Sequence, residues 1–197
     1  MTDETGGGDD PADGDLAWET LDSGIDYSCP GFDVRRDDVR LPDGTETDFH
    51  YVDEPGAVVV LPFTGGTAGD ERDVVVIEEW RQAVGRVNRG LPAGTVETDD
   101  ADLAAAARRE LREETGYEAK TVEPLHTTEP SNGVANSVHH YFVARGCEPA
   151  ADQELDFNES IRPVTADYDA FRAAVAAGDV RDGRTVQGVA MYELSDG

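Results

Sequence analysis

The chain has 197 residues, 38% of them hydrophobic, and sets 43 acidic against 16 basic side chains, a formal net charge of -27. That length and apolar content suit one enzyme-sized unit with a sizeable core, and the charge would repel a phosphate backbone, which excludes broad nucleic-acid binding. With no apolar run long enough to span a bilayer and no signal-peptide pattern, a soluble, cytoplasmic protein without membrane association is expected.

Residues 1–15, rich in Gly, Asp and Pro, read as a disordered acidic tail. Residues 18–28 and 32–41 read as strands, and Pro42-Asp43-Gly44-Thr45 turns the second into another at 46–52. Two Val-rich runs at 56–63 and 73–80, joined by a Gly-rich turn, read as buried strands. A helix is predicted from about 101 to 115, then strands at 119–127 and 138–145, and a loop near 147–158. A strand at 160–165 precedes a helix at 167–177 with Phe171, Ala174 and Val175 inward and Gly178 as its stop; a last helix spans 184–194. A mixed sheet between helices is an α/β fold, an α/β/α sandwich. Cys29 and Cys147 lack metal-site spacing and read as buried free thiols. Lys120 is the only lysine among many arginines, and the acidic excess reads as a surface adapted to high salt, where charges are screened within a few Å.

The first predicted helix carries the chemistry. At about 100° per residue, Glu110, Glu113 and Glu114 fall within an arc of roughly 100°. Like charges at this spacing repel, so a divalent cation among them is the reading that explains the row. Hard cations such as Mg²⁺ (or Mn²⁺) take oxygen ligands, often one or two carboxylates plus substrate phosphates. Ala104, Ala107 and Leu111 form an apolar arc beside the acids. Arg109 stands one turn before Glu113, where it can pair with it, while Arg108 and Arg112 point to the far side as solvated groups. Asp99, Asp100 and Asp102 crowd the start of the helix, where one can cap it. Gly116 is a left-handed stop. Upstream, Leu91-Pro92-Ala93-Gly94 reads as a tight loop whose carbonyls, Ala93 foremost, can approach the same ion. In so acidic a chain the plain alternative is a solvated Glu-rich face.

Arg109-Glu110-Leu111, Glu113-Glu114 and Gly116-Tyr117, preceded by Gly94, resemble the signature of the Nudix hydrolases. In that signature Gly is followed after five residues by Glu, and after seven more by Arg-Glu-aliphatic. Here Asp100 replaces the first Glu, and one extra residue separates it from Arg109, an insertion that falls before the helix and is cheap in a loop. Val39-Arg40-Leu41-Pro42-Asp43-Gly44, Gly56-Ala57-Val58-Val59-Val60-Leu61-Pro62 and Leu91-Pro92-Ala93-Gly94 are similar to segments of the ADP-ribose pyrophosphatase branch. So is Glu79-Trp80-Arg81, where the branch has Gln-x-Arg; Gly90 stands where it has a Glu linked to substrate contact.

The resemblance implies a Nudix-type sandwich over 53–197 and an N-terminal β subdomain over 16–52, exchanged between the subunits of a homodimer. It implies Mg²⁺-dependent cleavage of the pyrophosphate in ADP-ribose or another nucleoside diphosphate sugar; dinucleotides, oxidised nucleoside triphosphates and a non-hydrolytic nucleotide sensor are the alternatives. Glu110 and Glu114 are then the primary metal ligands, with Glu113 shared between ligation and catalysis and Arg109 holding it. Another Glu on a loop is implied for metal binding or catalysis; Glu159 fits that place best and Glu154 second. Arg40, and Asn132 and Gly133 in the loop 129–137, are implied as contacts to the small-molecule nucleotide substrate. Arg81 at a strand end suits a phosphate. Trp80 reads as core by strand alternation, or as a platform for the base. Of His139 and His140, one is expected in the core and one in solvent.

Overall fold

The computed structural model describes residues 14–65 and 73–195. All but the last two residues of the expected acidic tail lie outside those described. Three strands, β1 (Glu19–Cys29), β2 (Phe32–Arg40) and β3 (Glu46–Asp53), form an antiparallel sheet in the order β1-β2-β3. The turn between β2 and β3 closes with Gly44 at φ 86°, where a side chain would be strained, and Asp43 accepts from the Thr45 amide.

The backbone groups into two compact units. The first comprises Met1–Glu54 and Ser131–Asn136, the second Pro55–Pro130 and Ser137–Gly197. The loop 131–136 joins the first unit because its backbone pairs with the end of β3: Val52 donates to Val134 and Asn136 donates to Val52. Asn136 also donates to Asp53 at 2.6 Å.

The second unit contains β4 (Ala57–Pro62), β5 (Asp73–Arg81), a 3₁₀ turn (Gln82–Val84), β6 (Arg86–Gly90), β7 (Ala93–Thr95) and α1 (Leu103–Thr115). Then follow β8 (Tyr117–Glu118), β9 (Thr121–Thr128), β10 (His139–Arg145), β11 (Glu148–Pro149), β12 (Ile161–Asp167), α2 (Tyr168–Ala177) and α3 (Gly183–Ser195). One sheet is mixed, in the order β7-β4-β10-β9, with β4 and β10 parallel; a second runs β12-β5-β6, antiparallel throughout.

Strand alternation builds the layers. On β4, Val58 and Val60 pack with Ala106, Ala107 and Leu111 of α1, while Val59 and Leu61 face Phe171, Val189 and Tyr192 of α2 and α3. A strand buried on both faces reads as an unbroken apolar run, which is how Val58 to Leu61 reads. The result is an α/β sandwich of mixed sheet and flanking helices. Phe171 is fully buried, and Ala174 and Val175 pack on the same core. Asp102 caps α1 through the Ala105 amide, Asp167 caps α2 through that of Ala170, and Gly116 and Gly178 end them at φ 74° and 79°.

Several expectations need correction. Residues 86–90 and 93–95 are strands, so the Leu91-Pro92-Ala93-Gly94 segment is only half loop; three-residue strands carry no readable period. Trp80 is not core: it is 47% exposed, and its indole donates to Gln82 at 2.9 Å. Past Val76 the face of β5 that carries Glu78 and Trp80 opens to solvent, while Glu79 on the other face stays buried. His139 and His140 are both half-buried, not divided between core and solvent. Both cysteines are free; Cys147 is buried, Cys29 only half so. Arg108 and Arg112 are not merely solvated: Arg108 donates to the Ala119 carbonyl and Arg112 to Glu154. Among the described residues no helix is long and apolar enough to cross a membrane.

Candidate active site

The buried end of α1 holds two carboxylates. Packing of Ala106, Ala107 and Leu111 against β4 turns Glu110 and Glu114 inward toward β7, where they are 8% and 3% exposed. Glu114 accepts the Ala93 amide at 2.9 Å. The Glu110 carboxylate lies against the Gly94 backbone, and a Cβ at that position would overlap it. A glycine here therefore makes room for an acid, independently of any turn requirement.

Burial raises both acids above the ordinary carboxylate range. The Glu110 carboxyl is pushed up to about 7, chiefly by desolvation, against the lowering influence of Arg109. The Glu114 carboxyl is pushed up to about 8 by desolvation, against the Ala93 hydrogen bond, with the charges of Glu110, Glu159 and Glu79 adding to the rise. Neither acid has enough neighbouring cation to offset its loss of water.

Arg109 organises the exposed side. One guanidinium nitrogen donates to Glu110 at 2.8 Å and to Glu113 at 3.0 Å. The other end is clasped by Asp100, at 3.1 and 3.0 Å, and by the Thr95 carbonyl. Asp100 also accepts the Glu97 amide, so despite the extra residue before the helix it anchors Arg109. Glu113, less buried than its neighbours, stays at the edge.

Glu159 reaches the same region, since its charge is felt at Glu110, Glu114 and Glu79. The loop that carries it is stitched to the end of α1: Gln153 donates to the Glu114 carbonyl at 2.5 Å and Glu154 to that of Glu113 at 2.9 Å. The Glu154 side chain is taken by Arg112, and the Glu159 carboxylate accepts the Asp156 amide at 3.0 Å.

Beside the carboxylates lies a small cleft lined by Ile77, Glu79, Arg81, Asn88, Gly90, Leu91, Asp182 and Arg184. Arg81 pairs with Glu79 at 2.7 Å. Burial, with Arg184 close by, lowers the Arg81 guanidinium from its usual value, and burial raises Glu79. Sequence reasoning gathered Arg81 but missed Asp182 and Arg184, which arrive from the start of α3. An Asp just before the last predicted helix was the available signal, since Asp is a favoured helix cap. Trp80 stands on the solvent side of β5. Arg40, Asn132 and Gly133 belong to the first unit, where Arg40 is clasped by Glu19 and Glu46.

Among the described residues no three acidic, histidine or cysteine side chains converge as a complete metal cluster. Two desolvated carboxylates against a glycine corner nevertheless fit a hard cation that takes one or two carboxylates and completes its shell with water and phosphate oxygens.

Residues 54–187 match the NUDIX domain model, more than half of the chain. The chain belongs to the Nudix family. The Nudix match spans β4 through the first turn of α3, and so includes Glu110, Glu114, Glu159 and the cleft around Arg81. A methanol dehydrogenase activator of Bacillus methanolicus is 31% identical over 81% of this chain and 84% of its own. An ADP-ribose pyrophosphatase of Bacillus subtilis is 29% identical over 86% of this chain and 89% of its own. The crystal structure of an ADP compounds hydrolase superposes with a TM-score of 0.76 at 19% identity, covering 90% of this chain and 93% of that one, which establishes the shared Nudix fold. As an enzyme the chain is a Nudix pyrophosphohydrolase.

Proposed function

We propose that the chain hydrolyses the pyrophosphate bond of ADP-ribose or a related nucleoside diphosphate sugar, releasing AMP (or the matching NMP) and a sugar phosphate, with Mg²⁺ or Mn²⁺ as cofactor. The observation that carries this reading is the pair of buried acids, Glu110 and Glu114, seated against Ala93 and Gly94. Two carboxylates held out of water work against stability, and a cation bound by them would offset that cost. Glu110 and Glu114 would hold it, with the Ala93 carbonyl, Glu113 and Glu159 as further ligands. Held there, such a cation would supply positive charge to the pyrophosphate and make the attacking water more acidic.

The chain's own groups do the rest. Glu113, or Glu159 as the second candidate, would accept a proton from the attacking water. Arg109 keeps Glu113 in one orientation through their 3.0 Å bond. Arg81, already half-buried, offers a forked donor to a phosphate in exchange for Glu79. Trp80 presents an exposed ring on which a base can stack. The family resemblance also implies Arg40, Asn132 and Gly133 as nucleotide contacts.

That unit also supports a homodimer with exchanged N-terminal strands. Trp18 just before β1, and Ile25, Tyr27 and Phe32 on the strands, are all exposed, and apolar surface of this kind suits a partner. The net charge of -27 fits work at high salt.

The test is ADP-ribose turnover at molar KCl, with and without Mg²⁺, beside a panel of dinucleotides and nucleoside triphosphates and the Glu113→Gln variant. Mg²⁺-dependent AMP release, strongly reduced in Glu113→Gln, is expected. Binding of ADP-ribose with no turnover would replace the enzyme reading by a nucleotide sensor, and preference for another panel member would move the substrate.

A further inference from the structure

We infer that Thr185, set by Asp182 at the start of α3, is a positioning residue that holds the Leu91-to-Gly94 segment in the conformation the Glu110–Glu114 pair requires. This rests on the proposed metal-dependent reading of that pair. The contacts form an unbroken path. The Leu91 amide donates to the Thr185 hydroxyl at 2.9 Å, with both residues buried. That hydroxyl has a single proton, and it is given to Asp182 at 2.6 Å. Its oxygen is therefore fixed as an acceptor toward Leu91. The same Asp182 oxygen accepts the Thr185 amide at 2.9 Å, so one carboxylate both caps α3 and aims the hydroxyl.

Two residues beyond Leu91, the Ala93 amide reaches Glu114, and one further the Gly94 backbone lies under Glu110. Pro92, whose carbonyl accepts the Val60 amide at 2.9 Å, stiffens the link between them. The segment is thus held by β4 on one side and by Thr185 at its start. Gly90 belongs to the same device: a Cβ there would stand 2.8 Å from the Thr185 hydroxyl oxygen and 3.2 Å from Asp182. The close approach of α3 to β6 needs the glycine, which explains why this position carries no side chain in the present chain. Leu91 then packs on the other side against Gly188, where an added Cβ would touch it at 3.0 Å.

The experiment compares Thr185→Val, which keeps shape and removes the acceptor, with Thr185→Ser, which keeps it. In the metal-free protein, amide hydrogen exchange at Ala93 is expected to quicken in Thr185→Val and to stay as in the parent in Thr185→Ser. Mn²⁺ binding by calorimetry should weaken about 10-fold in Thr185→Val, the low end of what outer-shell partners of a metal site contribute, with Thr185→Ser near the parent. Should Thr185→Val fold poorly, Asp182→Asn retains a cap acceptor and is expected to move both readouts the same way by less. Unchanged Ala93 exchange in a folded Thr185→Val, or equal loss in Thr185→Ser, overturns the inference. Failure of the parent to bind Mn²⁺ or cleave ADP-ribose would instead strike the proposed function, while Ala93 exchange still reads the Thr185 link by itself.

Discussion

Acidic side chains crowd both the three-stranded sheet and the inner face of α1, in opposite surroundings. On the sheet, Arg40 lies between Glu19 and Glu46, Arg35 reaches Asp53 at 3.1 Å, and His50 sits between Asp26 and Asp48, all with substantial exposure. Such pairs are solvated and weak. On α1, Glu110 and Glu114 have lost most of their water, and the charge of Glu110 opposes ionisation of Glu114. In a chain with 43 acids the count of carboxylates along a helix says little. Which of them are desolvated decides where a compensating cation belongs.

The sharpest break in that comparison comes from neutralising one buried acid. Glu114→Gln keeps the shape and an acceptor for the Ala93 amide while removing the charge. Turnover of ADP-ribose should fall by more than about 100-fold, beyond the range seen for outer-shell partners, with KM little changed and Mn²⁺ affinity reduced. The matching change on the three-stranded sheet should leave kinetics untouched. Turnover close to that of the parent would remove Glu114 from the machinery.

Next in size is Gly94→Ala. The new methyl must displace the Glu110 carboxylate, which Arg109 holds from the other side. Overpacking of this kind costs about 1–3 kcal/mol, and the displaced carboxylate should cost roughly 10–100-fold in turnover. A melting curve and a rate on the same sample separate the two. Wild-type turnover in Gly94→Ala would mean that Glu110 does not need its seat.

What could be seen of this arrangement beforehand follows from the range of each signal. The α1 signature is local: Arg109, Glu110, Glu113, Glu114 and Gly116 sit within eight residues, and helical geometry fixes their relation. The Val58–Leu61 run, the caps and the α/β architecture are local in the same sense. The Asp100 clasp on Arg109 was in view but obscured by the extra residue, because a loop's path is not set by its length. Asp182, Arg184 and Thr185 come from nearly 100 residues away and meet Leu91 only through packing of α3, which no periodicity reports. Trp80 was misassigned to the core for the opposite reason: alternation was carried past the point where its face of β5 opens to solvent.

A third effect is on stability and not rate. In the unfolded chain Glu110 and Glu114 titrate near 4.5; folded, they rise to about 7 and about 8, with desolvation as the main cause. The folded state then binds protons more tightly, so this contribution is fully present below pH 4.5 and is lost as pH rises through 7 to 8. Metal-free protein in molar KCl, where surface repulsion is screened, should therefore melt lower at pH 8.5 than at pH 6. Glu110→Gln should flatten that decline. Mg²⁺ should reverse it, because ligation requires the deprotonated acids and displaces their protons. Calorimetric titration in two buffers of different ionisation enthalpy counts the protons released; none released would contradict the raised values.

The smallest expected effect lies on the sheet. Asp26→Asn removes a carboxylate 2.9 Å from His50, with both side chains close to half exposed. At molar salt the Debye length is about 3 Å, so little of that attraction survives, and His50 still has Asp48 at 3.2 Å. The variant should melt with the parent and turn over ADP-ribose at the parental rate. Its value lies in the contrast with Glu114→Gln: both changes turn a carboxylate into an amide, one in a solvated surface pair and the other in the desolvated seat proposed for the cation. A loss in Asp26→Asn approaching that of Glu114→Gln would mean that net charge, not desolvation, governs this protein, and the distinction between the two acidic surfaces would have to be given up.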